Sequence, residues 1–577
     1  MMSSFDSIVG EDSVAVSDYI DNAFSALQTS ISDPTDSAAR SNAFSNLEQL
    51  AAQYNDLAEF ISDQKSLAND ELSSNVDSIN SLTEQIANLN QQIFKAESTA
   101  GSSANELRDQ QEQLVKELSE YLDVKVSYDD NDLMTVNLAS GQPLVLQSSN
   151  NELSLTTDSS NPDGEVGIEL DFGSYEISIP TDELGGSVGG LIAFRNEFIP
   201  SAERMLGQQA LVLADTMNEQ NKLGLDADGE LGINLFSLDS ISVSADEGNS
   251  DKDSMVDVRL TSGSSSEVTT DTYEVVMLSD TSFKLVTYDL QGNISDESEI
   301  IDTSTATPNS DGFYEVDGFG VEVSFDSTAS YSRGDSYEFV PTKTAASSIE
   351  VSARTGDDFA LASPIAVEGS SSNLSDVSIS IASITNTDSS SSAFTDSGGL
   401  YNAAPQTLYF TASDEVEIQD ADGNVLATLS NITDYSNLLE QAGLAEDAGY
   451  DISLDGAPTA GDSFSISYNS EGESDNYNGL LLANLQTEAT VGGTQSYTEA
   501  FSSLVTEVGS LTATLSTNMD SSEIIMNNSI AARDEVSAVS LDEEAVNLLR
   551  YQQSYTASAQ VLSAAQSTFA TLISALG

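Results

Sequence analysis

The chain has 577 residues, long enough for about three or four domains, and carries 95 Asp and Glu against 17 Lys and Arg, with no histidine and no cysteine. A formal net charge of −78 argues against nucleic acid, whose expected footprint is a basic patch, and reads as a solvated acidic surface. Without cysteine there are no disulfides or thiolate metal sites, and without histidine neither Ser-His-Asp nor Cys-His catalysis can be assembled.

In chain order, Phe5 to Ile31 is expected to be one helix with Val14, Ile20, Phe24, Leu27 and Ile31 on one side. Asp33-Pro34 suits the start of the next, with Asp capping and Pro in the first turn. Residues 35–122 then read as helices. Apolar positions recur at Leu47, Leu50, Tyr54, Leu57 and Ile61, and again at Leu72, Val76, Ile79, Leu82, Ile86, Leu89 and Ile93, with a stutter near Lys65. A polar loop, STAGSSAN at 98–105, separates these from a helix carrying Leu107, Leu114, Leu118 and Leu122.

Strand alternation begins at Asp123 and runs through VKVSY, LMTVNLA, PLVLQ, LSLTT, VGIELDF and YEISI, broken by DDND, SGQ and NPDG turns. Pro180 stops it, and a helix is expected from Ser201 to Lys222. Residues 240–470 are almost entirely strand and turn, and they contain an internal repeat. One copy ends GVEVSF…SRGDSYEF (320–339) and the other DISL…TAGDSFSI (451–466), both closing on Gly-Asp-Ser-aromatic and an alternating strand.

Two motifs here lose their functional reading. Arg333-Gly334-Asp335 resembles an adhesion tripeptide, but its counterpart in the second copy is Ala460-Gly461-Asp462, so Gly-Asp reads as a structural turn. Asp226, Asp228 and Glu230 in LDADGELG look like the opening of a calcium loop without its distal glutamate, and read as a turn closed by Gly229. QDADGNVL at 419–426 reads as a hairpin turn. No catalytic, cofactor-binding or metal-ligating residue is assigned.

From Asn476 onward the pattern is helical. Ser540 and Glu543 form an S-x-x-E capping box, with Asp542, Glu543 and Glu544 in the first turn. The stripe that follows is Leu541, Ala545, Leu548, Tyr555, Ala559, Leu562, Phe569, Ile573 and Leu576, interrupted only by Gln552 and Gln566. A helix of this length spans ~55 Å and needs an equally long partner; an antiparallel hairpin within the chain would account for the stripe, though not for the missing charge. From Tyr551 to Gly577 there is no Asp, Glu, Lys or Arg. Small neutral residues off the stripe suit close packing on all sides, and the glutamines argue against a membrane span. The nine stripe residues are therefore the expected assembly interface.

The run LDEEAVNLLRYQQSYTASAQVLSAAQSTFATLI (541–573) resembles the C-terminal signature of the flagellar axial proteins, in their hook-associated branch. NELRDQQEQLVKELSEYLDVKV (105–126) is similar to that family's helix running into a first strand. GGSVGGLIAFRNEFIPSAERMLGQQALVLADTMNEQNKLGLDADG (185–229) resembles its Gly-Gly turn and long helix, and DNYNGLLLANLQTEATVGGTQSYTEAFSSLVTEVGSLTATL (475–515) its return into the core. What the resemblance implies is a non-enzymatic structural part of the bacterial flagellum joining hook to filament. The implied partners are the hook protein, a second hook-associated protein and copies of the chain in a ring or tube. An export chaperone at the C-terminal helix and passage through the flagellar export apparatus to the cell exterior are implied as well. That family begins with a helical segment that pairs with the C-terminal helix. Here the chain starts at MMSSFDSIVGEDS, downstream of it, so the C-terminal helix is expected to lack that partner. Residues 1–30 lack the basic and apolar regions of a cleavable secretory signal.

The fold class expected is α+β and multidomain, a long coiled-coil-like helical rod from both chain ends with all-β domains inserted. The expected divisions are a helical segment at 1–125, a mixed β region at 126–240 containing the helix 201–222, β modules at 241–350 and 351–475, and a helical segment with the assembly helix at 476–577. The alternative function is a secreted acidic adhesin or filament-type protein whose β modules bind a partner.

Overall fold

In the computed structural model, which describes every residue except 12–14, 101–102, 158–160, 252–254, 471, 538 and 577, the chain forms two units, Met1–Thr506 and Glu507–Gly577. The helix expected from Phe5 to Ile31 is two helices, α1 (Met2–Val9) and α2 (Val16–Ser32), with Gly10 ending the first. Ile20, Phe24, Leu27 and Ile31 are buried on α2, whereas Val14 lies outside the described residues. The next cap also moves. α3 (Ser37–Ala100) is capped by Asp36, whose Oδ1 accepts the Ala38 N–H at 2.9 Å. Asp33 and Pro34 form the turn before it, closed by the Asp36 N–H on the Asp33 carbonyl at 3.0 Å.

α3 is 64 residues long, about 95 Å at 1.5 Å per residue. It passes Lys65 without a break, and every apolar residue of its expected stripe is buried. The helix runs on into the expected 98–105 loop, where the Thr99 hydroxyl bonds back to the Lys95 carbonyl at 2.7 Å, and α4 (Asn105–Tyr121) starts inside the same segment. Glu97 shortens the connection: it accepts the Ala104 N–H at 3.0 Å and pairs with Arg108 at 2.9 Å.

Two antiparallel sheets, Val124–Tyr128 to Ser149–Asn150 and Glu152–Thr157 to Glu176–Ile179, share one core with α4 and the second half of α3. Asparagines on α3 bind them. Asn90 donates to the Met134 and Gln147 carbonyls at 2.7 and 2.6 Å and accepts the Met134 N–H at 3.0 Å. Asn80 exchanges the same pair of bonds with Leu153, at 2.9 and 2.8 Å.

The chain turns helical again at Gly186, earlier than the expected Ser201. α5 (Gly186–Ala193) passes through a π turn, Phe194–Phe198, into α6 (Ile199–Lys222), with Pro200 tolerated in the first turn of α6. Gly186 has φ 57°, and a Cβ there would lie 2.4 Å from the Tyr121 carbonyl, so only glycine fits this approach.

The two β modules share one topology. In the first, the main sheet runs Ile294–Glu297, Ser282–Tyr288, Thr272–Met277, Ser336–Phe339, Val243–Ala245. In the second it runs Val425–Ser430, Glu415–Gln419, Thr407–Ala412, Ser463–Tyr468, Ile365–Gly369. These are the same positions in the same spatial order. A second layer pairs Val256–Leu260 with Val321–Phe325 in one module and Ser378–Ile384 with Tyr450–Asp455 in the other. Each module has its own apolar core.

The Gly-Asp turns are equivalent in detail. The Gly334 N–H meets the Met277 carbonyl and the Met277 N–H the Asp335 carbonyl; Gly461, Phe410 and Asp462 repeat the pattern. Asn249 and Ser336 exchange two bonds, as do Asn373 and Ser463. Asp335 is 3% exposed, so the Arg333-Gly334-Asp335 carboxylate is inside the module. At 419–426 the expected hairpin turn forms, with Asp420 accepting the Asp422 and Asn424 N–H groups. Asp226 likewise accepts the Asp228 and Glu230 N–H groups at 2.9 and 3.0 Å, and Gly229 has φ 79°.

Short helices α7 (Ala345–Ser348), α8 (Leu438–Gln441) and α9 (Ala445–Ala448) follow or interrupt these sheets. The first module is tied to the helices by a cationic cluster. Arg204 of α6 pairs with buried Asp163 and donates to the Thr270 carbonyl at 3.0 Å, while Lys65 at 3.2 Å and Arg195 at 3.4 Å both reach the Asp163 carbonyl. The second module is tied by Arg40, which donates to the Phe359 carbonyl at 2.8 Å, and by Asn221, which accepts the Ala360 N–H at 2.8 Å.

Candidate assembly interface

After the second module, α10 (Tyr477–Asn484) packs on α2 and α6. α11 (Tyr497–Ser537) begins buried: Tyr497 stacks on Phe24 with ring centroids 6.0 Å apart, and its hydroxyl lies 2.6 Å from that of Thr216. Val508 is the last buried side chain among the described residues. The contacts described for α10 and the first turns of α11 are thus with α2 and α6, and not with the helices of 35–122 that are the expected partners of 476–577.

α12 (Leu541–Leu576) is 36 residues long. Ser540 Oγ accepts the Glu543 N–H at 3.3 Å, the forward half of the expected capping box, and Asp542, Glu543 and Glu544 stand at the positive end of the helix dipole. All nine predicted residues, Leu541, Ala545, Leu548, Tyr555, Ala559, Leu562, Phe569, Ile573 and Leu576, are on this helix and exposed, with Leu562 at 62% and Phe569 at 67%. No side chain of α12 is buried.

Val546, Leu549, Val561 and Leu572 are equally exposed, and a single heptad stripe misses them. The signal was their position beside the stripe, which widens the apolar surface well beyond one seam. On α11 the same surface begins earlier, with Met519, Ile524, Ile525 and Met526 all more than half exposed.

Hydroxyls between them are satisfied by the helix itself. Thr556, Thr568 and Thr571 donate their hydroxyls to the carbonyls of Gln552, Ala564 and Ser567 at 2.8, 2.7 and 2.8 Å. On α11, Thr514, Thr517, Ser521 and Ser529 do the same, each at 2.9 Å. A hydroxyl satisfied by its own helix needs no water, so covering it carries little desolvation cost. Exposed apolar side chains, self-satisfied hydroxyls and no charge after Arg550 together make a surface suited to being covered all round.

Residues 2–236 match the flagellar hook-associated protein FlgK helical domain, and residues 531–575, which include most of α12, match the flagellar basal body rod FlgEFG protein C-terminal family. The chain is 28% identical over 574 residues to flagellar hook-associated protein 1 of Salmonella typhimurium, covering 99% of this chain and 83% of that one. It is 27% identical over 575 residues to the protein of the same name in Escherichia coli K12, with the same coverage. The solved structure of the flagellar hook junction protein FlgK from Burkholderia pseudomallei superposes with a TM-score of 0.73 at 26% identity, covering 93% of this chain and 98% of that one. In its long helices and inserted antiparallel sheets as in its sequence, this chain is similar over nearly its whole length to flagellar hook-associated protein 1.

Proposed function

We propose that this protein is a structural component of the bacterial flagellum that joins hook to filament, and that it assembles through α12. The observation that carries the second part is the exposed circumference of that helix, free of charge after Arg550, with its self-bonded hydroxyls. In this reading α12 and the exposed part of α11 enter a coiled-coil-like layer with equivalent helices of neighbouring copies, of the hook protein and of a second hook-associated protein. An export chaperone covers the same surface while the chain passes through the flagellar export apparatus. The acidic β modules remain in solvent.

The test is Leu562→Asp. It places a carboxylate in a surface that assembly buries, at a cost of several kcal/mol, and leaves the first unit untouched. Cells carrying the variant are expected to export the protein, to retain its β-module melting transition and to grow no filaments. Filament growth equal to that of the unsubstituted protein would falsify the role of α12.

A further inference from the structure

Asn478 and Gly479 form the single Asn-Gly step of the sequence, and both are buried in the first turn of α10. The fold requires each of them. The Asn478 Nδ2 donates to the Gln220 carbonyl of α6 at 3.0 Å and to the Ala360 carbonyl at 2.7 Å, and its Oδ1 accepts the Gln220 Nε2 at 2.7 Å. A Cβ on Gly479 would lie 2.8 Å from Ile31 Cγ1 of α2 and 3.1 Å from Leu361 Cδ2, so a side chain there would press into two packed residues. Neighbouring groups fasten the same junction: Asp475 Oδ2 accepts the Ser363 N–H at 2.8 Å, and Asn476 Nδ2 donates to the Ile31 carbonyl at 3.1 Å.

That packing places an amide side chain next to the residue that protects it least. Glycine has no Cβ to obstruct its nitrogen, and it lets the backbone bring that nitrogen up to the asparagine Cγ. The N–Cγ bond forms and the Cγ–Nδ2 bond breaks; the proton from the glycine nitrogen passes through solvent to the leaving nitrogen, which departs as ammonia. The product is a five-membered succinimide. Water opens it at Cγ to aspartate, or at the backbone carbonyl to β-linked isoaspartate.

We propose that Asn478 is a site of this spontaneous modification, open while the chain is unfolded and closed by folding. In the folded chain the Gly479 N–H is donated to the Leu361 carbonyl at 2.9 Å, the leaving Nδ2 is held by two carbonyls, and Asn478 is 1% exposed, so water is kept from the ring that would form. The product cannot take the same place. A carboxylate at 478 has no donor for the Gln220 and Ala360 carbonyls and would be buried against them, and isoaspartate adds a backbone carbon to the first turn of α10. A chain left unfolded therefore loses, irreversibly, the means to join α10 to α6, and the site limits how long the protein stays competent to fold. This inference is independent of the junction reading.

The test holds the full chain in urea at mildly alkaline pH, samples it over time and refolds each sample by dilution. A glutamate-specific protease then releases residues 474–488, which also carry Asn476 and Asn484, followed by Tyr477 and Leu485, as internal controls. Mass analysis is expected to show conversion of amide to acid at Asn478 and not at the controls, with the refolded yield falling in step, while the native chain kept in the same buffer without urea shows no conversion. Asn478→Asp, which supplies the product at the outset, is expected to lose refolding yield and to lower the thermal midpoint. Equal conversion in the native and urea-held chains, or an Asn478→Asp chain that refolds and melts like the unsubstituted protein, would overturn the proposal.

Discussion

Asp335 and Asp462 show how single buried carboxylates close the two β modules. Asp335 accepts the Ser250 N–H, the Ser250 hydroxyl and the Ser332 N–H, each at 2.8 Å. Asp462 accepts the Leu374 and Thr459 N–H groups at 2.7 and 2.8 Å and the Ser375 and Thr459 hydroxyls. Burial alone would raise both carboxyls, but these donors outweigh it and hold both below the ordinary aspartate range. A depressed folded-state pKa means that the unfolded chain takes up the proton first. The stabilisation is thus complete above about pH 4, near the unfolded aspartate value, and is lost as pH falls through the lower folded values. Asp462→Asn is expected to cost about 1–3 kcal/mol at neutral pH and to flatten the acid limb of the melting profile; an acid limb identical to that of the unsubstituted protein would contradict this. The Gly-Asp turn was legible because it occurs twice. The asparagine couplers were not: Asn90 binds Met134 and Asn221 binds Ala360, partners too far along the chain for any local pattern to connect.

Helices were read from apolar periodicity, and the stripe from Leu47 to Ile93 is buried as its spacing requires. Their ends were harder. Asp33 and Asp36 both qualify as caps by residue type, and the choice falls to Asp36 because Asp33 is used in the preceding turn. On α12 the period showed one face, while Val546, Leu549, Val561 and Leu572 carry the apolar surface around it. A helix with no buried side chain gains little from its hydrogen bonds alone. Amide exchange over residues 545–576 should therefore be fast in a verified monomer and slow sharply on assembly. Strong protection in the monomer would mean that α12 has a partner within the chain.

Across the whole molecule, charge outweighs any single contact. A net charge of −78 makes the folded state repel itself, and the repulsion weakens as salt shortens the screening length to ~10 Å at about 0.1 M. The thermal midpoint is expected to rise with sodium chloride and to rise equally with potassium chloride, with millimolar calcium adding little beyond its ionic strength. A midpoint indifferent to salt would rule out repulsion as a destabilising force, and a rise specific to calcium would point back to the turn at Asp226. The general plan, long helices at both ends and β modules between, was legible from where the hydrophobic period changes. The attachment of those modules was not, since Asp163, Arg204 and Lys343 meet only in the folded chain. The scarcity of basic residues has one more effect. Trypsin-like proteases cut only after lysine or arginine, and Arg40, Arg195 and Arg204 are shielded inside the first unit. Arg550 is exposed and no basic residue follows it. Exposed Arg333, Arg354 and Arg533 are further sites, but once Arg550 is cut the residues from Tyr551 to Gly577 hold no site for such a protease and stay one peptide, so the release of that peptide is expected to fall if the proposed assembly covers the tail.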